Sequence, residues 1–138
     1  MSNPKVTAAA LIAAALLSAC AAPKAPENFK PVATWDGGYA GKADVIVHNS
    51  GICPRTIDIV LSVTGGVGDG RADTSGRNSY PVRLWIDRDG SIMNGSIAVN
   101  EMAGVVIDMN GRFGPDGATG TWKEWQNRCS GTFNLTKT

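Results

Sequence analysis

A chain of 138 residues is long enough for one domain and too short for two. Thirteen Lys and Arg against twelve Asp and Glu leave a net charge of +1, without the clustered basic excess that nucleic-acid binders carry. A single histidine excludes a multi-histidine metal site and a histidine-rich catalytic centre.

Residues 1–20 read MSNPKVTAAALIAAALLSAC. Lys5 precedes an apolar run from Ala8 to Leu17. That run is too short to cross a ~30 Å hydrocarbon core, which takes about 20 apolar residues as a helix. It fits the apolar region of a secretory signal peptide. The segment ends in Leu17-Ser18-Ala19-Cys20, which resembles the lipobox of bacterial lipoproteins. The resemblance implies that residues 1–19 are removed and that Cys20 is lipidated, with diacylglycerol on its thiol and usually a further chain such as palmitate on its new amino group. Ala21 rather than Asp after that cysteine implies sorting to the outer membrane, the domain facing the periplasm, with the cell surface also open to it. One fatty chain anchors only marginally, at about 0.8 kcal/mol per buried CH₂, and stable attachment needs a second signal. Removing residues 1–19 takes away Lys5 and no other charge, leaving a net of zero. The acyl chains therefore carry the attachment, with little help from anionic lipid.

A tether follows. Residues 21–34, AAPKAPENFKPVAT, hold Pro23, Pro26 and Pro31 and show no apolar period. Closely spaced prolines favour extended chain at ~3.1 Å per residue, so this stretch reaches up to ~40 Å. Phe29 and Val32 are its residues suited to docking on the domain instead.

With Cys20 assigned to the anchor, Cys53 and Cys129 remain. An even pair in an exported protein reads as a disulfide. It encloses roughly 75 residues, for which loop-closure entropy gives ~4–5 kcal/mol before native strain. It would tie an early segment of the domain to its last strand.

From residue 35 to 138 the chain reads as one all-β domain. No amphipathic helical pattern of useful length occurs, and 17 glycines punctuate the chain, where ~7% is usual. Val45 and Val47 share one side of a strand near 39–48. Ile57, Ile59, Leu61 and Val63 alternate with Asp58, Val60, Ser62 and Thr64, and Val82, Leu84 and Ile86 alternate with Arg83, Trp85 and Asp87. Strand patterns continue at 92–99, 105–109 and 131–135, the last with Phe133 and Leu135 on one face. Period two over four to eight residues marks a half-buried strand. Asp89-Gly90, Asn94-Gly95, Asn110-Gly111 and Asp116-Gly117 read as turns. Gly65-x-Val67-x-x-Gly70 and Gly90-x-Ile92-x-x-Gly95 share a spacing, and Gly111-x-Phe113-x-x-x-Gly117 adds one residue. Serial hairpin units predict an antiparallel meander of about seven or eight strands, closing into a small barrel or a sandwich; the barrel fits better, since no long crossover is visible.

The candidate chemistry is sparse. His48 sits at a predicted strand end without a Gly-x-Ser-x-Gly elbow in the chain, and reads as a surface or loop residue. Asp87-Arg88-Asp89-Gly90 and Gly65–Gly70 look faintly like calcium loops, but position twelve from Asp87 is Ala98, not the required Glu. Hairpin turns explain both. Asp108 and Glu124 are carboxylates that any two neighbouring strands would juxtapose for glycoside hydrolysis, though no local spacing demands it. Trp122-Lys123-Glu124-Trp125 holds two of the four tryptophans. With Trp35, Tyr39, Tyr80 and Trp85 they supply aromatic surface for a sugar-stacking platform or for core packing. In period two, Trp122 and Trp125 face opposite sides.

These features predict a lipid-anchored, non-catalytic envelope accessory or binding subunit, whose partner is another envelope protein or peptidoglycan, with no cofactor, metal or nucleic acid. Tethering raises effective concentration and lowers the affinity such a module needs. The alternative is a periplasmic inhibitor of proteases or lysozyme-type enzymes presenting residues 21–34 as an arm. A further alternative is a glycan-binding or wall-acting enzyme.

Overall fold

The computed structural model describes residues 23–47, 53, 55–74, 78–100, 105–126 and 128–138. It is all-β, with eight antiparallel strands: β1 (Gly37–Val47), β2 (Thr56–Thr64), β3 (Val67–Thr74), β4 (Ser79–Ile86), β5 (Ile92–Asn100), β6 (Val105–Gly114), β7 (Gly117–Glu124) and β8 (Cys129–Lys137). Each strand pairs with the next, and β1 pairs with β8, so the sheet is a closed barrel. Every backbone edge is thereby used within the sheet. The expected meander is the observed one.

The alternation read from β2 puts Ile57, Ile59, Leu61 and Val63 inside, each nearly inaccessible to water. They join Leu84, Ile97, Met109, Phe113, Phe133 and Leu135 in one apolar cluster. An eight-stranded barrel is just wide enough for side chains to fill. Tyr39 and Phe113 meet edge to face inside, with centroids 5.0 Å apart. The Tyr39 hydroxyl donates to the Trp35 carbonyl at 2.7 Å. Burial, and next the Asp36 charge, push its pKa upward.

Two of the four predicted Gly turns are confirmed. Asp89-Gly90 lies in the β4–β5 turn and Asp116-Gly117 closes the β6–β7 turn. Asn94-Gly95 and Asn110-Gly111 are instead inside β5 and β6. The reason is steric. Gly111 faces Gly120 across the β6–β7 pair. A Cβ on Gly111 would sit 2.3 Å from the Thr119 carbonyl oxygen, and one on Gly120 would sit 2.0 Å from that of Asn110. These inward positions are glycine because the strands coil too tightly for a side chain, the device that lets a sheet close on a small radius. Positive φ is needed elsewhere: Gly65 and Gly66, at 61° and 80°, form the two-residue β2–β3 turn.

The turns β2–β3, β4–β5 and β6–β7 lie at one end of the barrel, where the N-terminal arm docks. Val32 donates its backbone N–H to the Gly65 carbonyl at 3.1 Å. The Gly65 N–H donates to Asp36 Oδ1 at 2.7 Å, and the Trp35 indole N–H donates to the Asp87 carbonyl at 3.0 Å. Phe29 and Val32 both approach Gly66. The tether is therefore held from Phe29 onward, just after a turn in which the Phe29 N–H donates to the Pro26 carbonyl at 3.0 Å. At the opposite end, Cys53 in the β1–β2 connection is bonded to Cys129 at the start of β8.

Candidate functional site

Outward positions on β7 continue past the strand to Trp125. Its indole N–H donates to Asp108 Oδ2 on β6 at 2.6 Å. Asp108 stands opposite Lys123 in register, and the Lys123 ammonium lies 4.4 Å from the Trp125 ring centroid. A hydrogen bond on one edge and a cation on the ring fix the indole against the wall. Trp125 is nevertheless 66% exposed, and Ile46 across the groove is 65% exposed. The groove, about 420 Å³, is bounded by these two residues, Asp108, Asn110, Thr121 and Ser130.

The turn after Trp125 is held from both sides. Buried Glu124 accepts the Gln126 backbone N–H at 2.7 Å, and Cys129 is fixed by the disulfide. Between them Arg128 has φ of 56°, a left-handed conformation that costs a non-glycine residue about 1 kcal/mol. A charged residue is thus kept at a position where glycine or asparagine would be easier.

The two tryptophans do face opposite sides, and this removes one of them from a stacking platform. Trp122 points into the barrel, is 2% exposed, and donates its indole N–H to the Asp44 carbonyl at 3.1 Å. It lines the groove, yet almost none of its surface is open to water. Tyr39 and Trp85 are buried, and Trp35 and Tyr80 are half-buried. Of the six aromatics grouped by the sequence, Trp125 alone is exposed.

Asp108 and Glu124 also diverge. The register Asp108↔Lys123 and Ile107↔Glu124 puts one carboxylate outside the wall and the other inside, so they form no facing pair. The Asp87–Gly90 segment is a hydrogen-bonded turn: Asp89 accepts the Ser91 N–H at 2.9 Å and the Arg112 guanidinium at 3.2 Å. Those donors, Ser91 first, hold its carboxyl below the ordinary value. Asp69 lies in β3 and pairs with Arg83 at 2.7 Å. Among the described residues no three His, Cys, Asp or Glu gather. Cys20 and His48 lie outside the described residues.

Sequence reasoning missed the wall beside the groove. Outward positions on β7 and β8 read Thr119, Thr121, Lys123 and Ser130, Thr132, Asn134, Thr136. Register sets Thr121 between Asn110 and Thr132, and Thr119 beside Asn134. The signal was the polar half of each alternation, which looks like an ordinary wet face until the strands are placed side by side. No protein-family model matches the chain, and no curated protein matches it closely enough to carry a comparison.

Proposed function

We propose that this protein is a non-catalytic binding module of the bacterial envelope, anchored to the outer membrane by acyl chains on Cys20, and that it engages its partner through the wall around Trp125. The observation that carries the reading is an indole fixed in place yet two-thirds open to water. Fixed, exposed tryptophan is the side chain most often found at binding hot spots, because little freedom is lost when it is covered. The lipobox-like Leu17-Ser18-Ala19-Cys20 and the proline-rich chain behind it support the anchored location.

A second reading, inhibition of an exported hydrolase, draws support from the β7–β8 turn. A turn fixed beside a disulfide and carrying Arg128 at positive φ is a preorganised loop suited to an enzyme cleft. The arm is a poorer candidate, since residues 29–36 are engaged at the other barrel end. The test is cross-linking in the cell followed by purification from solubilised membranes, for the native chain and for Trp125→Ala. Loss of a stoichiometric partner in the variant supports the reading. An unchanged set of partners overturns it, and a captured hydrolase that the purified protein slows would establish the inhibitor.

A further inference from the structure

Charge is distributed unevenly around the barrel. On β1–β4 most outward charges stand in pairs: Lys42 with Asp58 at 2.8 Å, Arg83 with Asp69 at 2.7 Å, and Arg71 with Asp73 at 3.1 Å. On β7 and β8 most outward positions are hydroxyls and amides, Thr119, Thr121, Thr132, Asn134 and Thr136, all exposed, with Lys123 and Lys137 near the strand ends. Two grooves lie on this wall. One, about 420 Å³, ends at Trp125 and includes Asp108 and Lys123; the other, about 480 Å³, lies beside the β6–β7 turn and is lined by Thr119, Asn134 and Thr136, with Arg112 and Asp116 at its edge. β7 has eight residues, so the wall between them runs about 26 Å at ~3.3 Å per residue.

We propose that the β6–β8 wall binds a linear, uncharged oligosaccharide chain laid along β7, with one sugar ring stacked on Trp125. This names the ligand class for the binding-module reading above and rests on it. Three observations favour a sugar chain over a protein. Threonine hydroxyls and asparagine amides each donate and accept hydrogen bonds, which matches a chain of hydroxyls; an ion-paired surface matches it poorly. Neutral polar groups also cost far less to desolvate than charges. Protein-binding hot spots, by contrast, are poor in Ser and Thr, and those residues dominate here. Finally, the closed barrel leaves no edge to which a peptide strand could add. The apolar face of the indole supplies the stacking surface at one end, and the succession of Thr121, Thr132, Thr119 and Asn134 supplies hydrogen bonds along the chain.

The full-length protein, kept in detergent, is sedimented with insoluble chitin and, separately, with microcrystalline cellulose. Binding to at least one is expected, weakened tenfold or more by Trp125→Ala and by Thr132→Lys. Lys42→Ala, on the ion-paired wall, leaves it unchanged. Melting temperatures of all variants identify any that fail to fold. No sedimentation with either polymer overturns the proposal, as does sedimentation indifferent to both wall variants. A photo-cross-linker at position 132 separates the two levels of the argument. A protein captured in cells, with no polysaccharide binding, overturns the sugar proposal and keeps the binding module; neither capture nor binding overturns both.

Discussion

The ring of Phe133 occupies the space that a side chain at Gly120 would need. A Cβ there would meet Phe133 Cε1 at 2.7 Å and the Asn110 carbonyl oxygen at 2.0 Å. The same ring reaches 2.9 Å from a Cβ on Gly111. One aromatic thus covers two facing glycines, supplying the packing that they lack.

Gly120→Ala is therefore expected to destabilise the barrel by more than the ordinary cost of a strand substitution, because the obstruction is backbone. Phe133→Leu should cost about 1–3 kcal/mol through lost packing. Adding Phe133→Leu to Gly120→Ala should not restore stability, since the Asn110 carbonyl remains. Urea unfolding of the two single variants and the double variant reads all three. A double variant as stable as Phe133→Leu alone would contradict the steric account.

Reducing the Cys53–Cys129 bridge, or replacing both cysteines by serine, should lower stability by ~4–5 kcal/mol on loop-closure entropy. The separation is 76 residues. The loss should appear in the urea midpoint of the oxidised protein against the serine pair.

Asp36→Ala removes the acceptor of the Gly65 N–H. A lost bond to a charged acceptor predicts about 1.5–3 kcal/mol. Amide exchange at Gly65 and Val32 should accelerate together, since Val32 donates to Gly65. Independent rates would show that the arm does not dock as a unit.

Asp89 is held below its ordinary value of 3.8, first by the backbone N–H and hydroxyl of Ser91 and then by Arg112. A carboxyl whose pKa falls on folding contributes stability that is fully present above 3.8 and is lost as pH drops through the folded value. Asp73, lowered by Ser79 and then Arg71, acts in the same sense. Melting temperature should therefore fall from about pH 4 downward, and Asp89→Asn should fall less steeply. An acid limb of unchanged slope would remove Asp89 from the account.

How far the sequence announced this structure depends on what each residue answers to. Ile57 to Val63 were legible because one face of β2 is dry and the other wet, and alternation records only that. Asn110-Gly111 was misread because the dipeptide serves two demands, positive φ in a turn or close approach within a strand. Only the facing Gly120 distinguishes them. Period two separated Trp122 from Trp125 correctly, but two identical residue types carry no mark of which is inside. The bond between Trp35 and Asp87 was invisible, because the arm has no period of its own and conforms to turns built 29 and 52 residues later.

The disulfide also changes the order in which the barrel is easiest to assemble. Val47 pairs with Ser130, 83 positions away, and such distant pairings are entropically late in folding. Once Cys53 and Cys129 are joined, the covalent path between the same two residues runs six positions to one cysteine and one position from the other. One end of the pairing between the two strands farthest apart in the chain, β1 and β8, becomes by connectivity a hairpin. Oxidation thus lowers the contact order of the final closure, and the reduced chain should close its barrel more slowly than the oxidised one by any measure of refolding rate.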